Sequence, residues 1–162
     1  MLLDEGWAAV THAHIARVAG YSKATVYAHW PSQTSLITDA FTLVGATPHH
    51  TPTGDLRTDL LAELLAYRTG MVERRLDRAL AVLSDLTHSV PELVAVRDML
   101  VADGERVVWE LLARFLDGHE LEAATLMLCG AILHAALMHG VAPPDEVIEP
   151  TVDLTLRAAT AR

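Results

Sequence analysis

Residues 11–41 read THAHIARVAGYSKATVYAHWPSQTSLITDAF, and residues that favour helix ends divide them into short helical segments. A threonine and a serine, both preferred at helix N-termini, stand at the start of the segments 12–19 and 22–29. Gly20 lies between them and suits the left-handed backbone of a tight turn. The apolar pattern predicts that Val18 faces the interior. The length and punctuation are those of a helix-turn-helix.

The start of the second segment carries the residues that such a motif brings to DNA. In a helix-turn-helix, the first residues of the second helix reach base edges in the major groove. Here they are Ser22, Lys23, Ala24 and Thr25. Lys23 is the only lysine of the chain and would offer a cation to phosphate or guanine. Tyr27 and His29 could donate to flanking phosphates. The pattern alone leaves open that these residues only cap and solvate a short helix.

The charge is distributed unevenly along the chain. The 162 residues include 12 Lys plus Arg and 21 Asp plus Glu, for a net charge of −9. Residues 1–45 hold three acids and two bases, so the remaining 18 acids and 10 bases give the later part −8. The acidity therefore belongs to the later part, and the first could still approach a polyanion.

The segment GATPHHTPTGD, residues 45–55, replaces helical periodicity with Gly, Pro, Thr and His, which predicts a linker. We therefore predict an all-α chain with a helix-turn-helix domain over 1–45, a linker over 46–54 and a helical domain over 55–162. Within the last part, SVPE at 89–92 predicts a capping box. No strand pattern and no repeat is found.

An apolar stretch without Asp, Glu, Lys or Arg runs over residues 123–144. A membrane-spanning helix needs about 20 apolar residues. Gly130, His134, Gly140 and prolines interrupt this stretch. The sequence therefore predicts a helix over 120–139 that is buried in protein or in an interface, and no membrane span.

Neither a metal site, a cofactor nor a catalytic group is predicted. Cys129 is the only cysteine, which excludes an internal disulfide and fits a reducing cytoplasm. Of the nine histidines, His49 and His50 lie in the linker, and His134 and His139 miss the i, i+4 spacing of metal pairs on a helix. A helical enzyme or metal protein that uses these histidines stays as an alternative.

Residues 11–41 closely resemble the DNA-binding domain of TetR-family transcriptional regulators. The matching residues are Thr11, Ile15, Ala16, Ala19, Gly20, Ser22, Lys23, Thr25, Tyr27 and His29 before Trp30. The resemblance implies a cytoplasmic homodimer that binds a pseudo-palindromic operator in double-stranded DNA. It also implies release of that DNA when a small-molecule effector binds the helical domain. We expect a repressor.

The resemblance further assigns DNA contacts to particular residues. They are Lys23, Thr25, Tyr27 and His29 in the second helix, and Thr11 and His12 at the start of the helix before it. Gln33 stands where the family commonly has a basic residue, so that phosphate contact is expected to be weaker. Residues 1–5 look like the end of a shortened first helix. The alternative is a small-molecule-binding or interaction protein of TetR-like fold whose DNA binding is weakened or lost with that helix.

Two further sets of residues are predicted in the helical domain. An apolar cavity for the effector would be lined by Met71, Leu83, His88, Trp109 and Met127. Residues of these types at helical spacing also form ordinary cores, and that interpretation stays open. A stripe of mostly small residues and a second apolar stripe predict a four-helix dimer interface: Ala124, Leu128, Ala131 and Ala135, with Val152, Leu156 and Ala159.

Overall fold

The computed structural model describes residues 2–45 and 48–160, and all regular elements within these ranges are helical. The prediction of an all-α fold is confirmed. The helices are α1 (Leu2–Glu5), α2 (His12–Ala19), α3 (Lys23–His29), α4 (Gln33–Gly45), α5 (Leu56–Glu73), α6 (Leu76–Leu86), α7 (Val94–Leu112), α8 (Gly118–His134) and α9 (Asp145–Thr160). Five residues of predicted segments lie outside the described residues: Met1 of the first helix, Ala46 and Thr47 of the linker, and Ala161 and Arg162 of the helical domain.

The caps predicted from sequence begin and end α2 and α3. The Thr11 hydroxyl accepts the backbone N–H of His14 at 3.2 Å, and the Ser22 hydroxyl accepts that of Thr25 at 3.0 Å. Gly20 has φ 73°, the left-handed conformation that a residue without Cβ adopts at little cost. The predicted orientation of Val18 is wrong, because its side chain is 60% exposed. The short helix α2 buries only His12 and Ala16, which lie one turn apart on its other face.

Two hydrophobic clusters hold the helices together. The first includes Leu64 of α5, Leu112 of α7 and Leu128 of α8, and it extends to α6 and α9. The second joins Ile37 of α4 to Leu83 of α6 and reaches the start of α7. Apolar contacts therefore cross the predicted linker, and α4 is packed against α6 and α7 rather than hanging from the chain.

The predicted capping box over 89–92 is wrong. The Ser89 hydroxyl donates to the carbonyl oxygen of Leu86 at 3.2 Å, so it ends α6 instead of beginning α7. Residues Pro91–Leu93 form a 3₁₀ turn, and α7 follows at Val94 without a side-chain cap. The Ser89 hydroxyl cannot cap α7, because it is already bonded to the last turn of α6.

The helix α8 continues through a π-helical turn, Ala135–His139, and together they form the apolar element predicted over 120–139. The stretch Gly118–His139 is long and apolar enough to cross a membrane by length and composition alone, and 39% of its most apolar window is buried in the protein. The core helix of a soluble protein meets the same criteria. Here α8 packs against α5, α7 and α9.

Candidate nucleic-acid interface

The first residues of α3 form an exposed polar surface. Lys23, Ala24 and Thr25 all have exposed side chains, whereas Val26 is 3% exposed and holds the helix to the protein from below. The first turn of α3 is therefore accessible to another molecule. That surface carries one cation and no acid.

Two hydroxyl groups cap the helix and shape its first turn. The Ser22 oxygen accepts the N–H of Thr25 at 3.0 Å and lies 2.8 Å from the Thr25 hydroxyl. Because the Ser22 proton can be donated to Thr25, the Thr25 proton is left to point outward. Thr25 is therefore able to donate to a phosphate oxygen while the cap stays intact.

Tyr27 is held against His12 in a parallel stack. The two ring centroids are 3.9 Å apart and the ring planes differ by 3°. On the same side, the Lys23 Nζ lies 5.6 Å from the Tyr27 centroid, within the range of a cation–π contact. Lys23 and Tyr27 thus form one continuous surface along α3, and Tyr27 itself is 46% exposed.

The structure corrects the predicted DNA contact of His12. Its side chain is 8% exposed, and its Nε2 donates to the carbonyl oxygen of Trp30 at 2.7 Å. His12 is therefore a positioning residue: it fixes the end of α3 and supports the Tyr27 ring. Spacing along the chain could not predict this role, because the stacked partners lie on two different helices.

Gln33 also makes a contact within the protein, and its predicted DNA contact stays a prediction. Its Nε2 donates to the carbonyl oxygen of Trp7 at 2.9 Å, so this side chain ties α4 to the turn after α1. Trp30 is fastened to α4 as well, through a bond from its Nε1 to Asp39 at 2.8 Å. These bonds fix the direction in which α3 projects.

Thr11 and His29 are exposed, as a surface role requires. Tyr21, which is 66% exposed between α2 and α3, was missed by sequence reasoning. The signal was present, since an aromatic residue directly after a turn glycine has little core to enter. Arg17 was missed too; it is exposed in the last turn of α2, and its guanidinium lies 3.3 Å from His14 Nδ1.

Comparisons with known proteins agree with this geometry. Residues 1–40 match the family described as bacterial regulatory proteins, tetR family. Uncharacterized HTH-type transcriptional regulators of Mycobacterium bovis and Mycobacterium tuberculosis are 26% identical over 163 aligned residues, which cover 94% of this chain and 79% of theirs.

Two solved structures have a similar fold. The flavonoid-responsive regulator FrrA matches with a TM-score of 0.76 and 19% identity, over 99% of this chain and 89% of its own. The TetR family transcription regulator SCO0332 matches with a TM-score of 0.61 and 27% identity, over 95% and 90%. The match over residues 1–40 and these similarities support assignment to the TetR family. The relatives and the fold are those of TetR-family transcriptional regulators, which are not enzymes.

The helical part of the chain contains a small, partly enclosed cavity of about 40 Å³. It lies between the end of α4 and the helices α5 to α8. Its walls are mostly apolar, and they include one carboxylate and one phenol: Gly45, Tyr67, Met71, Leu76, Leu80, Leu100, Val101, Gly104, Glu105 and Leu133. The Tyr67 ring lies so close to Gly104 that a Cβ there would be 3.0 Å from its Cε2.

Of the five residues predicted to bind the effector, only Met71 lines this cavity. Leu83 is fully buried in the second hydrophobic cluster. The His88 Nδ1 is within 3.2 Å of the carbonyl oxygens at the end of α6, and the side chain is exposed. Trp109 and Met127 are 42% and 54% exposed on the outside. Helical spacing predicts which residues are apolar but not which of several faces a cavity uses.

The predicted dimer stripes are divided between the core and the surface. Leu128 and Val152 are 0% and 1% exposed within a single chain, so these two predictions are corrected: both belong to the chain's own core. Ala124 is buried in the same core at 6% exposure. The remaining residues are partly buried at the margin of that core: Ala131, Ala135, Leu156 and Ala159. Their outward neighbours form an exposed apolar face of α8 and α9, with Leu126, Met127 and Leu154 more than half exposed.

Residues 48–54 form no helix, and buried carboxylates of α5 hold them in place. We name the group His49, His50, Thr53, Asp59 and Glu63 the linker clamp. Asp59 and Glu63 are 0% and 1% exposed. The His49 Nδ1 donates to Glu63 at 2.8 Å, and the His50 Nε2 donates to Asp59 at 3.0 Å. Backbone N–H groups of His50, Thr53 and Gly54 donate to the same carboxylates at 2.8 to 2.9 Å.

The clamp shifts the ionisation of its members. Burial disfavours the charged His49 ring, but hydrogen bonds to Glu63 and Asp103 outweigh burial and raise the pKa of His49 above its usual value. The N–H of Thr53, followed by His50 and Gly54, holds the pKa of Asp59 far below its usual range despite burial. In the part of the chain that the structure describes, no group of three or more His, Cys, Asp or Glu is arranged to hold a metal ion.

Proposed function

We propose that this TetR-family chain is a homodimeric repressor that binds a pseudo-palindromic operator in double-stranded DNA and is released by a small molecule. Residues 1–45 would bind DNA, residues 55–162 would hold the effector and the dimer interface, and 46–54 would link them. Such a protein acts in the cytoplasm, where the DNA is. The observation that carries the proposal is the exposed first turn of α3, where Lys23 lies beside a Tyr27 ring that His12 supports.

The chemistry of this surface suits a duplex. Lys23 would contact phosphate or guanine acceptors, Thr25 would donate to phosphate, and Tyr27 would do so from the next turn. Two copies in a dimer would reach successive major grooves, which lie about 34 Å apart. The exposed side chains Tyr21 and Arg17 extend the same surface towards the DNA backbone.

The test is selection of bound fragments from sheared DNA of the source organism, with purified protein and no added ligand. We expect enrichment of a pseudo-palindrome by the wild type. The Lys23→Ala/Tyr27→Ala double variant should lose that enrichment, whereas Arg78→Ala, which removes an exposed cation from α6, should keep it. A folded wild-type dimer that enriches no sequence would overturn the proposal and favour a TetR-like protein without DNA binding.

The exposed apolar face of α8 and α9 supports the dimer. A groove of about 250 Å³ lies between the two helices and is lined on one side by Ala123 and Met127 and on the other by Ala158 and Ala159. Small residues allow a partner's helices to approach closely, and burial of the face is favourable at about 25 cal/mol per Å². Met127→Asp with Leu154→Asp should give a folded monomer in sedimentation. Val72→Asp, at a 60% exposed apolar position of α5, should leave the dimer intact.

The partly enclosed cavity supports the response to a small molecule. FrrA is named as flavonoid-responsive, and we infer only that this chain also responds to an organic molecule of small size. Leu100 in the cavity wall lies against Gly45, the last residue of α4, with no room for a side chain there. A molecule that enters must push Leu100, and α4 would move with it and carry α3 away from the operator spacing.

A further inference from the structure

One wall of the cavity carries the carboxylate of Glu105, which is partly buried. Glu105 lies on α7 between Gly104 and the buried residues Val107 and Val108. Among residues 2–45 and 48–160, no hydrogen bond or ion pair involves the side chain of Glu105. The fully buried carboxylates, those of Asp59 and Glu63, each accept several hydrogen bonds in the linker clamp. Glu105 differs from them because it is only partly buried and its carboxylate faces the cavity without such bonds.

A carboxylate that is partly buried among apolar residues is unfavourable, because it loses part of its hydration without gaining a partner in the described part of the chain. Burial alone raises the pKa of Glu105 above its usual value, and no neighbouring cation opposes the rise. An apolar residue at this position would avoid the unfavourable burial. A group that enters the cavity and pairs with the carboxylate would also remove it.

The charges around the cavity determine whether this group is a cation or an anion. Burial raises the pKa of the Cys129 thiol to about 12, and the negative charges of Glu105 and Glu63 add to the rise. This side of the cavity is therefore negative, and the whole chain carries −9. Such a field attracts a cation and repels an anion. Tyr67 supplies an aromatic ring and a hydroxyl without a hydrogen bond in the described part of the chain, next to Gly104.

The apolar residues of the cavity wall determine which kind of molecule can bear the cationic group. Met71, Leu100 and Leu133 are apolar and have several rotamers, so they fit a hydrocarbon or aromatic body. The cavity of about 40 Å³ holds little more than one water molecule. A ligand must therefore enlarge it by moving these side chains, and small ligands need the least movement.

We propose that the cavity takes a small organic amine in its cationic form, with its ammonium group against Glu105 and its apolar part between Met71, Leu100 and Leu133. The inference rests on the proposed effector function, since it names the ligand class of the same cavity. Carboxylic acids, phosphates and other anions are excluded by the charge of the site.

The test measures binding of matched probes by calorimetry to the full-length dimer. The probes are n-butylamine, benzylamine and 2-phenylethylamine, each beside the alcohol of the same skeleton. We expect the wild type to bind at least one amine about 10- to 100-fold more tightly than its alcohol, the usual strength of a charged hydrogen bond. Glu105→Gln should remove this preference and keep the affinity for the alcohol. Glu110→Gln, on the exposed side of α7, should retain the preference.

Equal affinity of amine and alcohol for the wild type, an unchanged preference in Glu105→Gln, or no binding by any amine would overturn the inference. A parallel arm measures release of the selected operator by the amine that binds. Amine binding through Glu105 without DNA release would uphold the ligand class and overturn the effector function. Operator binding by a protein that takes no amine would leave the regulator proposal standing and remove only the ligand class.

Discussion

The exposed start of α3 and the linker clamp use similar polar residues in opposite surroundings. At α3 the capping partners lie within three residues, as Ser22 and Thr25 do, and their side chains face solvent. In the clamp, the partners of Glu63 and Asp59 are 5 to 14 residues distant, and both carboxylates are buried. The first arrangement leaves hydrogen-bonding groups for another molecule, whereas the second uses them within the chain.

The two regions differ in whether hydrogen-bonding groups remain free to bind another molecule. Polar groups that are only locally paired keep donors free for a ligand such as DNA. The polar groups of the clamp already have hydrogen-bond partners within the chain. They therefore stabilise one conformation of the linker and fix the segment that leads to α5. Each of the following predictions changes one member of one region and measures whether stability or DNA binding responds.

The largest expected effect is loss of stability on Glu63→Gln. The amide keeps one acceptor but turns a donor towards the ring or the N–H that faced the second carboxylate oxygen. We expect the free energy of unfolding in urea to fall by roughly 2 to 4 kcal/mol, as for other broken buried pairs. Glu122→Gln, which removes an exposed carboxylate 3.4 Å from His119, should change it by less than about 0.5 kcal/mol. An equal response of both variants would mean that the clamp is no more than a surface feature.

The next effect is expected for His12→Ala, which acts on both stability and DNA binding. It removes the stack with Tyr27 and the hydrogen bond to Trp30, at a cost of about 1 to 3 kcal/mol in unfolding free energy. Operator affinity should fall as well, although His12 does not reach DNA. His29→Ala should weaken operator binding without lowering stability. If His12→Ala left affinity unchanged, Tyr27 would not need its support.

A smaller effect is expected for Ser22→Ala. Loss of the N-cap should lower the unfolding free energy by about 1 kcal/mol, measured by urea denaturation. Ser32→Ala is the matched control at the next helix, where the Ser32 hydroxyl accepts the N–H of Ser35 at 3.0 Å. Both should cost about the same in stability, but only Ser22→Ala should also reduce operator affinity. A reduction of equal size by Ser32→Ala would contradict a specific role for the first turn of α3.

The smallest effect concerns pH. Because the pKa of His49 is raised above 6.5, its protonation stabilises the fold fully below that pH, and the contribution is lost as pH rises through the folded-state value. From pH 6.5 upward, the unfolding free energy should therefore decline more steeply for the wild type than for His49→Gln. The lowered pKa of Asp59 acts at the acid end, where stability is lost as pH falls below about 4. Parallel curves above pH 6.5 would exclude His49 as a contributor.

These contrasts also explain what the sequence could predict. Thr11, Gly20 and Ser22 act on residues at most three or four positions away, so their roles were correctly predicted from the local pattern. The all-helical fold followed for the same reason. The contacts of His12 and Gln33 within the protein were not predicted, because their partners, Tyr27 and Trp7, lie on other elements.

The cavity was harder still to predict. Four of its five predicted residues lie elsewhere, and Tyr67, Leu100 and Glu105 were missed, because a cavity wall is set by how several helices pack and not by the spacing on one of them. The same limit applied to the dimer stripe, where Leu128 faces its own chain. The sequence places His49 and His50 in the linker. It does not show which of the many acidic residues are their buried partners on α5.

Whether the first turn of α3 binds DNA can be measured through the salt dependence of operator binding. The affinity of the selected operator is measured over a range of salt concentrations for the wild type, Lys23→Ala and Arg78→Ala. We predict that Lys23→Ala makes the slope of log affinity against log salt shallower by about 0.9 for each Lys23 that contacts phosphate, while Arg78→Ala leaves it unchanged. An unchanged slope and affinity in Lys23→Ala would contradict the account.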